Sequence, residues 1–183
     1  MSEQDVPEAI RAALGAHTTL TLAYADEDGP QACAVFYALA AATESPGDSE
    51  DPVSGQLPFA PSLFFVTSPT TRHGRALLSG GTDGTGGTGG TRVAFTAQRD
   101  GQDWTALTGV QGRGVCRVLA GADRAAARHT YGTRFPDVER DARLRQAMDR
   151  TDFWELRPDW LRLIDNGRGF GHRTEWPPRA PEA

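Results

Sequence analysis

The chain has 183 residues, 19 cationic and 24 acidic side chains and a formal net charge of −5. The length suits a single domain with a full core, and the acid excess argues against general nucleic-acid binding, which needs a basic face. All 19 cations are arginine, so no lysine can form a Schiff base and catalysis through an internal pyridoxal-phosphate aldimine is excluded.

The start, MSEQDVPEAIRAALG, is acidic and amphipathic and lacks the basic start and apolar centre of a signal peptide. The longest apolar stretch, Ala32–Ala42, is too short to span a bilayer. A cytoplasmic protein without a membrane partner is therefore expected. Asp5 caps a short helix with Pro7 near its first position and Gly15 at its end. Thr18–Tyr24 alternates Leu20 and Leu22 with threonine, a strand signal. Asp26-Glu27-Asp28-Gly29-Pro30 is a turn, and Ala32–Ala38 returns as the second strand of a hairpin. Residues 44–61, rich in Pro, Ser, Gly and Asp, read as an exposed loop.

Leu63–Gly80, LFFVTSPTTRHGRALLSG, is the most informative segment. Leu63–Val66 is an apolar, aromatic-rich strand, and it breaks at Thr67-Ser68-Pro69, where proline cannot continue a ladder. A helix follows, with Thr70 or Thr71 as its N-cap. Arg72, His73 and Arg75 then fall in its first turn, where the dipole disfavours cations unless they share a bound anion such as a phosphate. A solvated helix start with incidental charges is the other reading of the same residues.

Residues 80–91 contain GGTDGTGGTGG, a flexible inserted loop without the Walker lysine of a phosphate-cradling loop. Strands resume at Arg92–Gln98, Thr105–Val110 and Gly114–Leu119, with Gly109, Gly112 and Gly114 at bulges or close approaches. Asp123–Tyr131 and Arg140–Arg150 are helical. Phe153–Arg157 and Trp160–Ile164 make a last pair of strands across Pro158-Asp159. The tail 166–183 begins in NGRGFGHRTEW, which gathers aromatics and arginines in a glycine-broken stretch suited to a capping hairpin or a dimer interface. Cys33 and Cys116 have no CxxC spacing and read as buried thiols. His17 and His129 have no partner at metal-ligand spacing, and no nucleophile elbow is present.

Six or seven antiparallel strands interrupted by helices give a mainly β, α+β domain: a closed or split barrel. The segment Val66-Thr67 followed by Thr71-Arg72-His73-Gly74 resembles the phosphate-binding segment of the pyridoxamine 5'-phosphate oxidase-like FMN-binding split barrels. In that family an aromatic strand ends in Phe-Thr or Tyr-Thr, and Ser-Arg-Lys-Gly opens the helix. Histidine stands here in place of the lysine, so one phosphate cation is titratable. The resemblance runs from about Thr19 to Trp176.

It implies a homodimer with FMN in a cleft between two barrels, acting as a flavin-dependent oxidoreductase on a small-molecule substrate. On that resemblance Thr71, Arg72 and His73 hold the phosphate, and Val35, Phe36, Val66 and Thr67 line the ring. Cys33 stands where the oxidases carry a phosphate-binding arginine. Gln111 falls near the family's glutamine-bearing strand. From the partner, Arg173 matches the arginine that reaches the flavin, and Asn166 or Phe170 stands where the family has tryptophan. Related barrels that bind and degrade haem, that use a deazaflavin, or that serve as non-catalytic stress-response modules remain alternatives.

Overall fold

The computed structural model describes residues 5–40, 61–80 and 90–178. The reading of 44–61 as a loop and most of the 80–91 insertion lie outside them.

Alternating burial creates the sheet. In β1 (Thr19–Asp26), Leu20, Leu22 and Tyr24 point inward between half-buried threonines and alanines, the period of a half-buried strand. A two-residue turn returns the chain as β2 (Gly29–Leu39), with Asp26 paired to Gly29. Gly29 has φ +99°, a conformation that side chains other than glycine rarely adopt. β3 (Leu63–Thr67) pairs with β2, then α2 (Arg72–Ser79) leads to β4 (Thr91–Gln98).

β5 (Thr108–Val118) is one continuous strand, where the sequence suggested two. Gly112 makes room for the Phe95 ring and Gly114 for the backbone of Arg157 and Pro158, so both are close approaches, as expected of them, and the strand runs through them. β6 (Asp152–Asp165) is likewise one strand of 14 residues. The expected break at Pro158-Asp159 is a β-bulge: Arg113 faces Trp160 and Gly114 faces Pro158, leaving Asp159 extra. Bulges are among the places where a strand tolerates proline.

The sheet order is β3-β2-β1-β4-β5-β6-β7, with β3 also paired to β6. That pairing closes β1 to β6 into a barrel. On the edge of β6 away from β5, residues Asp152 to Leu156 pair with β3, and Leu161 to Ile164 pair with β7 (Arg173–Trp176). The barrel wall is therefore split between β3 and β7.

α1 (Glu8–Ala16) packs Ile10 and Leu14 into the core, and Tyr37 Oη donates to the Leu14 carbonyl at 2.6 Å. Pro7 is the N-cap of α1 and the helix runs one residue past Gly15, because alanine at 16 continues it without strain. α3 (Gly121–Arg134), α4 (Pro136–Arg140) and α5 (Ala142–Asp149) cover the outer face of β3 and β6 through Ala127, Tyr131 and Phe153. The helix expected at Arg140–Arg150 is α5, starting at Ala142 because Asp141 leaves helical geometry and caps it through the N–H groups of Arg143 and Leu144; the short α4 before it has no counterpart among the expected helices.

Candidate functional site

The site of interest is the junction of β3 and α2. β2 and β3 pair from Leu39↔Leu63 to Tyr37↔Phe65 and then part. Val35 and Phe36 on one strand, and Val66 and Thr67 on the other, flank the parting. Val35 faces the core, whereas Phe36 is 59% exposed with its ring 5.7 Å from that of Phe135.

Beyond Thr67 the chain turns through Ser68 into α2. Of the two candidate caps the structure selects Thr71, whose Oγ1 accepts from Gly74 N at 3.0 Å. Gly74 is obligatory there, because a Cβ would run into the Ser68 carbonyl oxygen. Thr71 Oγ1 also donates to that oxygen at 2.8 Å. A hydroxyl has one proton to give, so Thr67 Oγ1 donates to Thr71 Oγ1 at 3.0 Å. His73 Nε2, 2.6 Å from Thr67 Oγ1, must then be the donor. The order of protons is thus His73 to Thr67 to Thr71 to Ser68, and it places a hydrogen on His73 Nε2. Burial depresses the His73 pKa below its ordinary value, so this imidazole is neutral at pH 7. It orders the cradle and contributes no cation to it.

Arg72 is equally committed. Its Nε donates to Asp26 Oδ2 at 2.7 Å, and its second guanidinium nitrogen to Asp26 Oδ1 at 3.2 Å and Asp28 Oδ2 at 2.6 Å. The hydrogen bond from Arg72 holds the Asp26 carboxyl below the usual range. Arg75 donates to the Thr70 carbonyl at 2.5 Å. The arginine in the first turn thus arrives with two carboxylates around it, which reading the residues alone did not supply. The signal was there in Asp26-Glu27-Asp28, which turn chemistry fully explained.

The remaining candidates do not join this cluster. Gln111 lies exposed on the outer face of β5, opposite Thr96 and Arg162. Asn166 and Arg173 lie at the far end of β6 from Thr67, which pairs with Asp152 at its start. Fourteen residues at about 3.3 Å each give a contour of roughly 45 Å. A single mononucleotide cannot touch Thr67 and Asn166 of one chain. Asn166 also uses its carboxamide internally, donating to the Trp104 carbonyl at 2.7 Å and accepting from Gly171 N at 2.9 Å. It thereby fixes the turn that carries Phe170, 83% exposed, beside Trp104, 78% exposed. Trp176 instead lies fully inside the core, where its pairing with Leu161 seats it.

A phosphate fits the α2 end in part. The helix start offers backbone N–H groups, but the Ser68 carbonyl already fills the space at Gly74, the threonine protons are turned inward and the arginine is already paired.

The fold is that of the pyridoxamine 5'-phosphate oxidase-like split barrels. A protein related to general stress protein 26, of the pyridoxinephosphate oxidase family, from Clostridium acetobutylicum matches 96% of this chain and 96% of its own, with a TM-score of 0.52 and 11% identity. A haem-binding protein from Mycobacterium smegmatis matches 96% of this chain and 57% of its own (TM-score 0.58, 22% identity). A FAD-binding protein from Mesorhizobium loti, mll6688, matches 86% and 93% (TM-score 0.57, 13% identity). In sequence the chain is 35% identical over 115 residues to the UPF0306 protein YhbP of Salmonella schwarzengrund (strain CVM19633), across 63% of this chain and 66% of that protein. It therefore spans a little under two-thirds of the length of the curated relatives it matches. No protein-family profile matches the chain. Among the described residues no helix is long and apolar enough to cross a membrane, and no cluster of His, Cys, Asp and Glu could hold a metal.

Proposed function

We propose that the protein binds FMN between two copies of the chain and serves as a flavin-dependent oxidoreductase for a small molecule. The observation that carries this reading is the turn from β3 into α2, where Gly74 lets the Ser68 carbonyl pack against the helix and Thr71 caps it, leaving the helix start at Arg72 as the anion-favouring end. Backbone N–H groups of Arg72 and His73, with the Arg72 guanidinium, hold the phosphate. The parted edges of β2 and β3 at Val35 and Thr67 receive the ring. Arg173 and the Phe170 turn come from the partner, since the length of β6 keeps them from the same chain's cradle. Bound flavin supplies hydride-transfer chemistry; the chain's part is to orient it and exclude water. Two of the structural neighbours are named for binding FAD and haem, which keeps both cofactor classes in the test.

The experiment is to identify the small molecule released when the purified protein is denatured, and to measure its mass in solution. FMN in a dimer is expected. A Soret band with no flavin would replace this reading with a haem one. Arg72→Ala should weaken FMN by about tenfold, the worth of a charge-assisted contact, and leave riboflavin, which lacks the phosphate, unchanged. Equal losses for both would mean that Arg72 only shapes the pocket.

A further inference from the structure

The barrel wall has another opening at the end away from α2. β1 pairs with β2 along its whole length, but with β4 only from Thr21↔Thr96 to Ala23↔Ala94. Before Thr21 the two strands part, leaving a cavity of about 390 Å³ lined by His17, Thr19, Thr21, Thr96, Gln98 and Arg99. His17 is the unusual member. It is 7% exposed, and its Nε2 is buried with no hydrogen-bond partner among the described residues. A buried polar nitrogen without a partner is unfavourable and rare in folded proteins. His17 borders a polar opening while its Nε2 lies just beneath the accessible surface, so a small turn of the ring would give that nitrogen a partner in the opening.

The surrounding charges choose the sign of that ligand. Burial, and after it Arg99, depresses the His17 pKa, so the ring is neutral. Arg134 reaches across from α3 and donates to the carbonyls of Gly15 and His17 at 3.0 and 3.3 Å. A second cavity, of about 690 Å³ on the α1 and α3 side of His17, brings Arg11, His129 and Glu8 to the same residue. Asp100 is the acid on the β1–β4 side. Arginines at 11, 99 and 134 thus stand against carboxylates at 8 and 100. The field at His17 is positive, and the threonine hydroxyls and the Gln98 amide supply neutral donors for oxygen.

We propose that the opening between β1 and β4 is a binding site for a small oxyanion, held by Arg99 and by the threonine and Gln98 donors, with the His17 ring turning to present its Nε2 hydrogen to the bound anion. Carboxylates and phosphate monoesters share the compact anionic oxygens this site reads. The site is independent of the α2 cradle, which lies at the opposite end of β1, where Asp26 meets Arg72.

The test is a titration of the full chain with inorganic phosphate and, separately, acetate at constant ionic strength, following the histidine imidazoles by NMR. His17→Asn assigns the His17 signal among the four histidines. Saturable shifts of His17 are expected, with its pKa rising as the anion offsets Arg99. Saturation by one anion and not the other also supports the site and names the oxygen group it takes. Arg99→Ala, at an exposed position, should weaken the binding about tenfold. A His17 response that never saturates, or that Arg99→Ala leaves unchanged, overturns the proposal.

Discussion

The two ends of the barrel are built on opposite terms. At the α2 end the polar side chains face one another: His73, Thr67 and Thr71 pass protons in one direction, and Arg72 turns onto Asp26 and Asp28. At the tail end, the rings of Trp104 and Phe170 face solvent on a turn that Asn166 makes rigid. The first is a pocket already satisfied, so a ligand must displace something to enter. The second is a projection of apolar surface without cover from the described residues, the kind of surface that marks an interaction site. In a symmetric dimer each end can supply what the other lacks.

The sharpest way to break that comparison lies inside the tail hairpin itself. Trp176 is 1% exposed and Phe170 is 83% exposed, though only a few residues separate them. Trp176→Ala should cost about 3–5 kcal/mol of stability, read by urea unfolding of the full chain. Phe170→Ala should stay within about 0.5 kcal/mol and weaken flavin binding instead. A large stability loss in Phe170→Ala would make the projection part of the fold. The α2 end has its own counterpart in Gly74→Ala. Its new Cβ meets the Ser68 carbonyl, so a cost of about 1–3 kcal/mol is expected, together with loss of FMN affinity.

Acid should also separate the two ends. Burial holds the His73 pKa below 6.5, so the unfolded chain takes up that proton first. Stability is therefore unaffected above about pH 6.5 and falls as pH drops from there toward the depressed folded value. Glu155 acts in a lower window. Burial pushes its pKa up, but Ser62, Arg157 and Arg117 outweigh burial and leave it below its ordinary 4.5. Its contribution is present above that value and fades below it. Hydrogen exchange at about pH 5.5 against pH 7 should show α2 loosening while β7 holds, and His73→Gln should remove the difference. Equal loosening of β7 would mean that the acid effect is global.

Periodicity made most of the strands legible, and the Thr71 cap was legible as one of two choices. What failed was the division into shorter strands. In sequence Pro158-Asp159 and residues 111–113 read as gaps between strands, whereas β5 and β6 run through them, although Gly112 and Gly114 are legible as bulges or close approaches. The structure accommodates them through close approach and a bulge, whose extra residue Asp159 is held by Arg92 and, at 3.6 Å, by Arg113. Arg92 and Arg113 are remote in sequence, so no local rule could have found them. Arg72 and His73 show the same limit at the site. Their position at a helix start was readable and suggested cations awaiting an anion. Of the partners that change that meaning, Asp26 at 46 residues' distance appears only when the β1–β2 hairpin folds back against α2, and the Thr67 hydroxyl only when the turn after β3 brings His73 back over the strand end.

The smallest effect tests the α2 end most directly. Asp28 accepts from Arg72 at 2.6 Å, but its side chain is 71% exposed and that of Arg72 47%. A pair so open to water contributes only about 0–1 kcal/mol, and Asp26, at 6% exposed, keeps most of the grip on the guanidinium. Asp28→Asn should therefore leave stability nearly unchanged. It removes a negative charge beside the start of α2, where an incoming phosphate must sit, and loosens one guanidinium N–H to meet it, while the same nitrogen keeps its bond to Asp26. FMN affinity should rise by up to about fivefold, the equivalent of that pair energy. The gain should shrink at high salt, and riboflavin affinity should not move. An unchanged or weaker FMN affinity at low salt would show that Asp28 does not oppose the phosphate, and that the inward-facing end of the barrel is closed to anions.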